Sequence, residues 1–235
     1  MPSTPPPFAL LTPRLVLLPT PSAVHIQDYR IRYAHLHSQA DFCTMAFGHH
    51  YLPRFTSDDA MKAQILTEIS KNWSLSGKGL GDCAVGLWGG ARDLGRDIED
   101  GTTKFRIVEG KDLELLLSTG LKDVDWVGYV GVRVATSRLP PRDPDDAPLP
   151  SWEEMIELRY GFARSAWGKG YGTEAAQTLM LWAAKERGVK RFIAETEKEN
   201  MGSGGILRKL GFVDRGTLEY WKEESEIEWE KVVVT

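Results

Sequence analysis

Cysteine is scarce in this sequence, and its scarcity restricts the class of protein. Cys43 and Cys83 are the two cysteines among 235 residues, and they form no Cys-x-x-Cys pair. A disulfide framework is therefore not expected, and the reducing interior of a cell, the cytoplasm, is the expected location. Both thiols are expected to be buried as small apolar side chains.

Long apolar runs and an excess of positive charge are missing as well. No stretch approaches the ~18 apolar residues of a membrane span, and the mean hydropathy is -0.31. Lys and Arg number 29 against 33 Asp and Glu, for a formal net charge of -4. Neither a membrane nor a nucleic acid is therefore an expected partner, and an acidic surface favours a cationic small substrate. Residues 1–7 lack the basic and apolar regions of a secretory signal.

Histidine is infrequent too, with five in the chain. His35 and His37 are two residues apart, so a helix would turn them to different faces. The adjacent pair His49 and His50 has no cysteine or carboxylate at ligand spacing. We therefore expect no metal site.

The hydrophobic pattern predicts a single α/β domain over residues 1–235. It divides into an N-terminal strand and helices (8–90), an insertion with a hairpin or short helix (91–125), and a core (126–235). Strands are predicted at 15–18, 83–88, 126–135, 155–163, 191–196, 212–218 and 227–234. Helices are predicted at 22–37, 57–73, 173–187 and 200–210, with Ser22 and either Ser57 or Asp58 as N-caps.

A glycine-rich turn between a predicted strand and a predicted helix is the most informative local feature. Residues Gly168–Gly172 read Gly-Lys-Gly-Tyr-Gly, and Arg164 and Lys169 supply positive charge. Glycines let backbone N–H groups converge on one point, and the helix adds the positive end of its dipole. The turn is therefore predicted to bind an anion such as a pyrophosphate, although a tight strand-to-helix connection would use the same glycines.

Three classes of ligand use such a turn. A P-loop requires Ser or Thr after its lysine, whereas Gly170 follows Lys169 here. A dinucleotide-binding fingerprint requires a third glycine where Thr173 stands, although the next strand ends in the acidic segment Glu195–Glu197. The third class is the pyrophosphate of coenzyme A, and the flanking residues distinguish among the three.

Two flanking segments resemble motifs of a known family. Glu157-Leu-Arg-Tyr160 with Trp167-Gly-Lys-Gly-Tyr-Gly-Thr-Glu174-Ala resembles motif A of the GNAT superfamily of acyl-CoA-dependent N-acetyltransferases. The branch with the bacterial ribosomal-protein N-terminal acetyltransferases is the most similar. Asn200-Met-Gly-Ser203 with Ile206-Leu-Arg-Lys-Leu-Gly211-Phe212 resembles the motif B of that branch, and Leu11-Thr-Pro-Arg14-Leu15 its opening strand. Motifs A and B together cover about residues 155–217.

The chain departs from the superfamily pattern in two places. Trp167 stands where the superfamily usually has Arg or Gln, a replacement that is common in this branch. The motif B helix contains Gly202, Gly204 and Gly205, and each glycine costs a helix about 1 kcal/mol relative to alanine. We therefore expect this helix to be held by packing of its apolar residues or to become ordered when the cofactor binds.

The resemblance implies an α/β (α+β) fold with a mixed, mostly antiparallel sheet, a central splayed pair of parallel strands, and helices on both faces. It also implies acetyl-CoA as a co-substrate bound by the core at 126–235, without a metal. The backbone of Phe162 and Ala163 would pair with the pantetheine amides, and the glycine turn would hold the pyrophosphate. The implied cofactor-binding residues are Phe162, Ala163, Arg164, Trp167, Gly168, Lys169, Gly170, Tyr171, Gly172, Thr173, Asn200 and Ser203.

Three polar residues carry the implied chemistry, each with a structural alternative. Glu157 is the candidate base that accepts the amine proton through water, or it forms a salt bridge with Arg159 or another basic residue. The functional role of Ser203 is to contact coenzyme A or to protonate the leaving thiolate. Its structural alternative is a hydroxyl that hydrogen-bonds the backbone of the first helical turn. Asn200 contacts the pantetheine, caps the helix, or does both.

The acidic segment at 223–228 alternates with apolar residues, which is typical of a strand with one solvated face.

The function expected from the resemblance is direct acetyl transfer from acetyl-CoA to a primary amine, on a small molecule or a protein N-terminus, in a ternary complex. A non-catalytic module that binds coenzyme A is the first alternative, and an enzyme that binds another nucleotide is the second. The oligomeric state is left open.

Overall fold

The computed structural model describes residues 6–48, 56–75, 77–89, 93–101, 103–137, 139–216, 220–221 and 223–233. Within these ranges the strands are β1 (Phe8–Leu11), β2 (Leu15–Pro19), β3 (Asp82–Leu87), β4 (Arg96–Asp100), β5 (Thr103–Glu109), β6 (Asp125–Val134), β7 (Ile156–Phe162), β8 (Arg191–Glu197), β9 (Val213–Asp214) and β10 (Glu226–Val232). The α-helices are α1 (Thr20–Ala23), α2 (Gln27–His37), α3 (Ala40–Phe47), α4 (Asp58–Gln64), α5 (Asn72–Leu75), α6 (Gly110–Leu115), α7 (Tyr171–Arg187) and α8 (Met201–Lys209). No helix in the described ranges is both long enough and apolar enough to span a lipid bilayer.

The described strands form one sheet in the order β4-β5-β1-β2-β3-β6-β7-β8-β10-β9. Among these strands, β7 and β8 are the one parallel pair, and every other neighbouring pair is antiparallel. The mostly antiparallel sheet with a parallel pair, predicted from the resemblance, is therefore confirmed.

Both faces of the sheet are covered because the side chains of each buried strand alternate between two cores. In β2, Leu15 and Leu17 point to the core that contains Leu179 of α7, whereas Val16 and Leu18 point to the core that contains Tyr33 of α2. All four β2 residues are fully buried. The prediction of helices on both faces is confirmed, and Cys43 and Cys83 are both buried and unbridged, as predicted.

The N-terminal third differs most from the predicted elements. The sequence pattern missed β1, which pairs with β2 and turns the opening strand into a hairpin. The helix predicted at 22–37 is two helices, and Ser22 lies inside α1 rather than at an N-cap. Ser57 does cap α4, because its side chain accepts the N–H of Ala60. The predicted insertion contains both a hairpin, β4–β5, and α6, and β5 extends the sheet by pairing with β1.

Gly128 shows how closely β6 and β7 approach one another. A Cβ atom at this position would lie 2.2 Å from the carbonyl oxygen of Gly161 and 2.9 Å from the Cα of Phe162. These are backbone atoms of a central strand, so they cannot move without disturbing the ladder. Gly128→Ala is therefore expected to lower the free energy of unfolding by about 1–3 kcal/mol, measured by urea denaturation.

Gly89→Ala is the matched control, since a Cβ there would meet nothing within 4 Å. Its free energy of unfolding is expected to stay within about 0.5 kcal/mol of the wild-type value. Equal urea midpoints for the two variants would show that the β6–β7 spacing adapts to a methyl group.

Candidate functional site

The gap between β7 and β8 is the feature around which the site is built. The two strands pair at two positions only, the second of which joins Glu157 to Ile193. Strand β7 continues to Phe162 and β8 to Glu197 without further pairing to each other. The splay implied by the resemblance is therefore present, and backbone groups on the inner edge of each strand point into the gap.

The glycine turn connects β7 to α7 at the end of this gap. Gly168 and Gly170 have φ values of 72° and 79°, which L side chains rarely adopt, so glycine is required at both positions. Gly170 is the N-cap of α7, and no side chain caps the helix there. The first N–H groups of a helix have no partner within it, so this terminus offers donors and a positive dipole end to an anion.

Arg14 connects the opening hairpin to the glycine turn by hydrogen bonds. Its Nε donates to Glu174 Oε2 over 2.6 Å, and its Nη1 donates to the carbonyl oxygen of Lys169 over 3.0 Å. Thr12 donates its hydroxyl proton to the other carboxylate oxygen of Glu174. The guanidinium of Arg14 also lies 4.9 Å from the centre of the Tyr171 ring. The arginine of the opening motif thus positions the turn.

A cleft of about 600 Å³, here called the long cleft, opens between the end of β7, the glycine turn and α8. Phe42, Met45 and Ala46 of α3 also line it. Nine of the predicted cofactor-binding residues line the long cleft, namely Phe162, Trp167, Gly168, Gly170, Tyr171, Gly172, Thr173, Asn200 and Ser203. The structure therefore brings most of the predicted residues to one cavity.

The other three predicted residues lie elsewhere. Ala163 donates its N–H to the carbonyl of Val127 and accepts the N–H of Ala166 at its own carbonyl, each over 2.8 Å. The sheet and the following turn thus use both backbone groups of Ala163, and its pairing with pantetheine amides stays a prediction. Arg164 forms an exposed ion pair with Asp41, and Lys169 does not line the long cleft.

Asn200 caps α8 and ties it to α3. Its Oδ1 accepts the Ser203 N–H over 3.0 Å, and its Nδ2 donates to the carbonyl of Met45 over 2.9 Å. The N-cap role is therefore confirmed, and contact with a pantetheine stays a prediction. The carbonyl of Ser203 accepts the hydroxyl proton of Tyr160 over 3.2 Å. Burial raises the pKa of Tyr160, so this hydroxyl remains a donor at neutral pH.

The long cleft continues into a smaller volume of about 130 Å³, here called the polar chamber. Both volumes share Met45, Ala46, Tyr160, Asn200 and Ser203 in their lining. The charged residues of the polar chamber are Arg133, Glu157, Arg159, Glu195, Glu197 and Glu226. Carboxyl groups outnumber guanidinium groups there, which favours a cationic guest.

Glu157 is held in a buried ion pair. Arg133 donates from Nε and Nη2 to the two carboxylate oxygens of Glu157, over 2.8 and 2.6 Å. The two side chains are only 10% and 6% exposed. The contacts therefore correspond to the salt-bridge alternative, with Arg133 rather than Arg159 as the partner, and a catalytic role for Glu157 stays a prediction.

Arg159 belongs to a second ion pair beneath the polar chamber. Its Nη1 lies 3.6 Å from a carboxylate oxygen of Asp82, whose side chain is 1% exposed. The guanidinium also lies 5.3 Å from the centre of the Tyr129 ring. Gly131 provides the space for this carboxylate, since a Cβ there would lie 1.9 Å from Asp82 Oδ1. Glu157 and Arg159, two residues apart on one face of β7, thus both have partners on other strands, Arg133 on β6 and Asp82 on β3.

Glu195 of β8 and Glu226 of β10 both line the polar chamber, where they are diagonal neighbours on one face, because Glu228 is the residue opposite Glu195 and Glu197 the residue opposite Glu226. Burial, together with the charge and hydrogen bonding of Glu226, raises the pKa of Glu195 to about 9. Burial also raises the pKa of Glu226. Two carboxyl groups in such a position cannot both be ionised at neutral pH without large cost, so the pair retains a proton.

The acidic segment that contains Glu226 is not a solvated strand face, and that prediction is wrong. Glu228 is 3% exposed and accepts the N–H groups of Tyr220 and Trp221, each over 2.8 Å. Strand β10 lies between β8 and β9, and the segment at 220–221 covers the face that carries the acids. The acidic residues that alternate along β10 thus form a polar face that points into the protein interior and not into water.

The described residues contain no group of three or more His, Cys, Asp and Glu side chains arranged to hold a metal ion. His37 packs against Tyr33 and Tyr129 in the core, whereas His35 lies near Gln39 at the surface. The pair at 49–50 lies outside the described residues.

Sequence reasoning missed several of the residues that shape the polar chamber. Arg133, Arg159, Glu195 and Glu226 come from four different strands, and no local motif links them. Their one shared signal is charge at alternate positions of buried strands, as in Glu195–Glu197 and Glu226–Glu230. A charged residue repeated on one face of a buried strand indicates a polar cavity or an ion-pair network.

Comparison with known proteins identifies related sequences along most of the chain. The family described as "Acetyltransferase (GNAT) domain" matches residues 14–213. The uncharacterized N-acetyltransferase YjdG of Bacillus subtilis (strain 168) is 41% identical over 71 residues, which are 30% of this chain and 39% of YjdG. The uncharacterized N-acetyltransferase p20 of Bacillus licheniformis is 33% identical over 67 residues, which are 28% of this chain and 38% of p20. The chain thus spans about two fifths of the length of these curated relatives.

Solved structures share the fold over nearly the whole chain. An acetyltransferase from Agrobacterium tumefaciens str. C58 superposes with a TM-score of 0.55 at 18% identity, covering 95% of this chain and 93% of that one. RimL, the ribosomal L7/L12 alpha-N-protein acetyltransferase, was solved with coenzyme A. It superposes with a TM-score of 0.52 at 11% identity, covering 95% of this chain and 96% of RimL. MccE, a microcin C7 self-immunity acetyltransferase solved with acetyl-CoA and AMP, gives 0.53 at 13% identity, covering 94% of each chain. With the family match over residues 14–213 and the splayed strand pair beside its glycine turn, the chain belongs to the GNAT acetyltransferase family.

Proposed function

We propose that this protein transfers the acetyl group of acetyl-CoA directly to a primary amine, on a small molecule or a peptide or protein N-terminus. The observation that carries the proposal is the continuity of the two cavities at the β7–β8 gap. The long cleft ends at the uncapped N-terminus of α7, which suits a pyrophosphate, and its other end opens into the acidic polar chamber, which suits an amine.

The residues of the long cleft fit the chemical groups of the co-substrate. The glycine turn and the first turn of α7 would hold the pyrophosphate, with Lys209 of α8 as a nearby cation. The carbonyl of Phe162 accepts the Nε1–H of Trp167 over 2.9 Å, so the N–H of Phe162 on the inner edge of β7 is the group that would pair with a pantetheine amide, as an added strand does. RimL and MccE, which share this fold, were solved with coenzyme A and with acetyl-CoA, and those likenesses support the same ligand here.

The transfer needs no covalent enzyme intermediate. The amine nitrogen attacks the thioester carbonyl carbon, the carbon–nitrogen bond forms, the carbon–sulfur bond breaks, and the thiolate takes a proton. Ser203 lines both cavities, so its hydroxyl is our candidate donor to the thiolate. Its neighbour Tyr160 already donates to the Ser203 carbonyl and fixes the first turn of α8 against β7.

The first test is cofactor binding followed by turnover. Acetyl-CoA at about 100 times its dissociation constant should stabilise the fold by about 2.7 kcal/mol and raise the melting temperature. NAD and ATP should not raise it. A panel of amines and short peptides, read by release of coenzyme A, should then identify acceptors.

Within that panel we expect α-amines to be preferred over lysine side chains. Only a neutral amine attacks a thioester, and α-amino groups have a pKa of about 7.7–8.0 against about 10.4 for lysine. A preference for lysine would contradict this acceptor class. Tight binding of coenzyme A without acetylation of any amine would favour the non-catalytic module, and stabilisation by NAD or ATP would favour the other nucleotide-binding alternative.

A further inference from the structure

We propose that the neighbouring carboxyl groups of Glu195 and Glu226, rather than Glu157, take the proton of the acceptor amine in this protein. The inference deepens the proposed function and rests on it. It concerns the base of the reaction, and it follows from where the carboxyl groups of the polar chamber lie and what already binds each of them.

Glu195 lies where a base for this reaction has to lie. The pairing of β7 with β8 ends at Ile193, two residues before Glu195, so Glu195 belongs to the part of β8 that borders the gap. Its carboxyl group lines the polar chamber together with Ser203, which also lines the long cleft. A group in this position is adjacent to the junction of the two cavities, where an amine would meet a thioester.

Glu157 is less suited to the task although it lines the same chamber. Both of its oxygens accept hydrogen bonds from Arg133, and the pair is almost completely buried. Protonation of Glu157 would break a charge-assisted bidentate contact and leave the guanidinium of Arg133 without its carboxylate. Glu195 and Glu226, by contrast, interact with each other, and a buried oxygen of Glu226 has no hydrogen-bond partner among the described residues.

The charges around the pair favour a proton between its two carboxyl groups. Glu157 and Arg133 face Glu195 from β7 and β6, and Glu197, Glu223 and Glu228 act on Glu226. Burial and the surrounding carboxylates raise the pKa of both members. A carboxylate that binds a proton this firmly is a stronger base than an ordinary glutamate.

An acceptor that arrives as an ammonium ion has to lose two protons in the reaction. The reactive form is the one in which Glu195 has lost its proton. One N–H proton of the ammonium passes to the Glu195 carboxylate, and the carboxyl group so formed donates a hydrogen bond to Glu226. The freed nitrogen lone pair forms the bond to the thioester carbon, the carbon–sulfur electron pair stays on sulfur, and a second N–H proton passes to the thiolate. The amide and the free thiol leave, and the proton held by the pair passes to water.

The test compares Glu195→Gln, Glu226→Gln and Glu223→Gln with the wild type, using acetyl-CoA and an accepted α-amine. Glu195→Gln should lower kcat/KM about 100-fold at neutral pH, as loss of a general base does, while the rise in melting temperature with acetyl-CoA is retained. The wild-type kcat/KM should increase with pH as Glu195 loses its proton. This rising part of the pH profile, here called the rising limb, should be absent in Glu195→Gln. In Glu226→Gln the rising limb should move to lower pH, because the negative charge of Glu226 no longer raises the pKa of Glu195.

Glu223→Gln is the charge control, since it removes an exposed carboxylate near Glu226 outside both cavities. Its kcat/KM and its pH profile should match those of the wild type. A further measurement needs no turnover: at neutral pH, without substrates, the infrared difference between wild type and Glu195→Gln should contain the carbonyl band of one protonated carboxyl group.

Two results overturn the proposal while leaving the proposed function intact. One is a Glu195→Gln enzyme with wild-type kcat/KM and pH profile, and the other is the absence of the protonated carboxyl band from the wild type. A wild type that acetylates no amine in the panel overturns the proposed function, and the proposal with it. A Glu195→Gln enzyme that loses both activity and its response to acetyl-CoA assigns Glu195 a structural role and also overturns the proposal.

Discussion

Replacing Arg133 with methionine is expected to lower the free energy of unfolding by about 3–5 kcal/mol, the cost typical of breaking a buried ion pair by removing one partner. Arg133 is the cation that both oxygens of Glu157 contact, and neither side chain is more than 10% exposed. Without it, the carboxylate of Glu157 remains buried without its bidentate donor. Urea denaturation at neutral pH measures the loss.

The double variant Arg133→Met with Glu157→Leu separates lost charge pairing from lost packing. Apolar residues of similar volume often replace a buried ion pair without loss of stability, so the double variant should recover most of the deficit. A double variant as unstable as the single one would show that the guanidinium contributes through packing alone.

The substitution Gly205→Glu is expected to abolish the stabilisation by acetyl-CoA. Gly205 lies in α8 and lines the long cleft, and a Cβ there would meet nothing within 4 Å, so a side chain can be added without a clash. A glutamate would extend a negative charge into the cavity that we assign to an anionic ligand. The loss should amount to the full ~2.7 kcal/mol expected at 100 times the dissociation constant, read as an unchanged melting temperature on addition of acetyl-CoA.

Gly205→Ala is the matched control for this experiment. Alanine adds a methyl group to the same open position and improves helix propensity by about 1 kcal/mol. The variant should therefore be at least as stable as the wild type without ligand, and its response to acetyl-CoA should be preserved. If Gly205→Glu still responds fully, the ligand lies away from α8.

The parts of the site that the sequence predicted are those in which neighbouring residues act together. Gly168 and Gly170 have positive φ values at the turn, Asn200 caps α8, and β7 and β8 diverge where motif A predicts. Each of these features depends on a few consecutive residues, and a short motif can therefore encode it.

The parts that the sequence did not predict depend on residues far apart in the chain. Arg133 is paired with Glu157 across two strands, and Glu195 and Glu226 are diagonal neighbours on one face of two others. Alternating charges on β10 have the same pattern whether the polar face meets water or a cavity. The covering residues Tyr220 and Trp221 decide between the two, and their position depends on the folded chain. The short strand β1 was missed because four residues carry too weak a periodic signal.

The divergence of β7 and β8 has a consequence for backbone hydrogen exchange. Successive amides of a strand point to opposite sides, and on one side β7 is bonded to β6 throughout its length. Past Glu157, alternate amides of β7 point into the gap instead, where the described part of β8 does not pair with them. One strand at the centre of the sheet should thus contain slowly and rapidly exchanging amides in alternation. A ligand that lies along the gap would slow the exchange of the amides that point into it, which are every second amide of this part of β7, and would thereby remove the alternation.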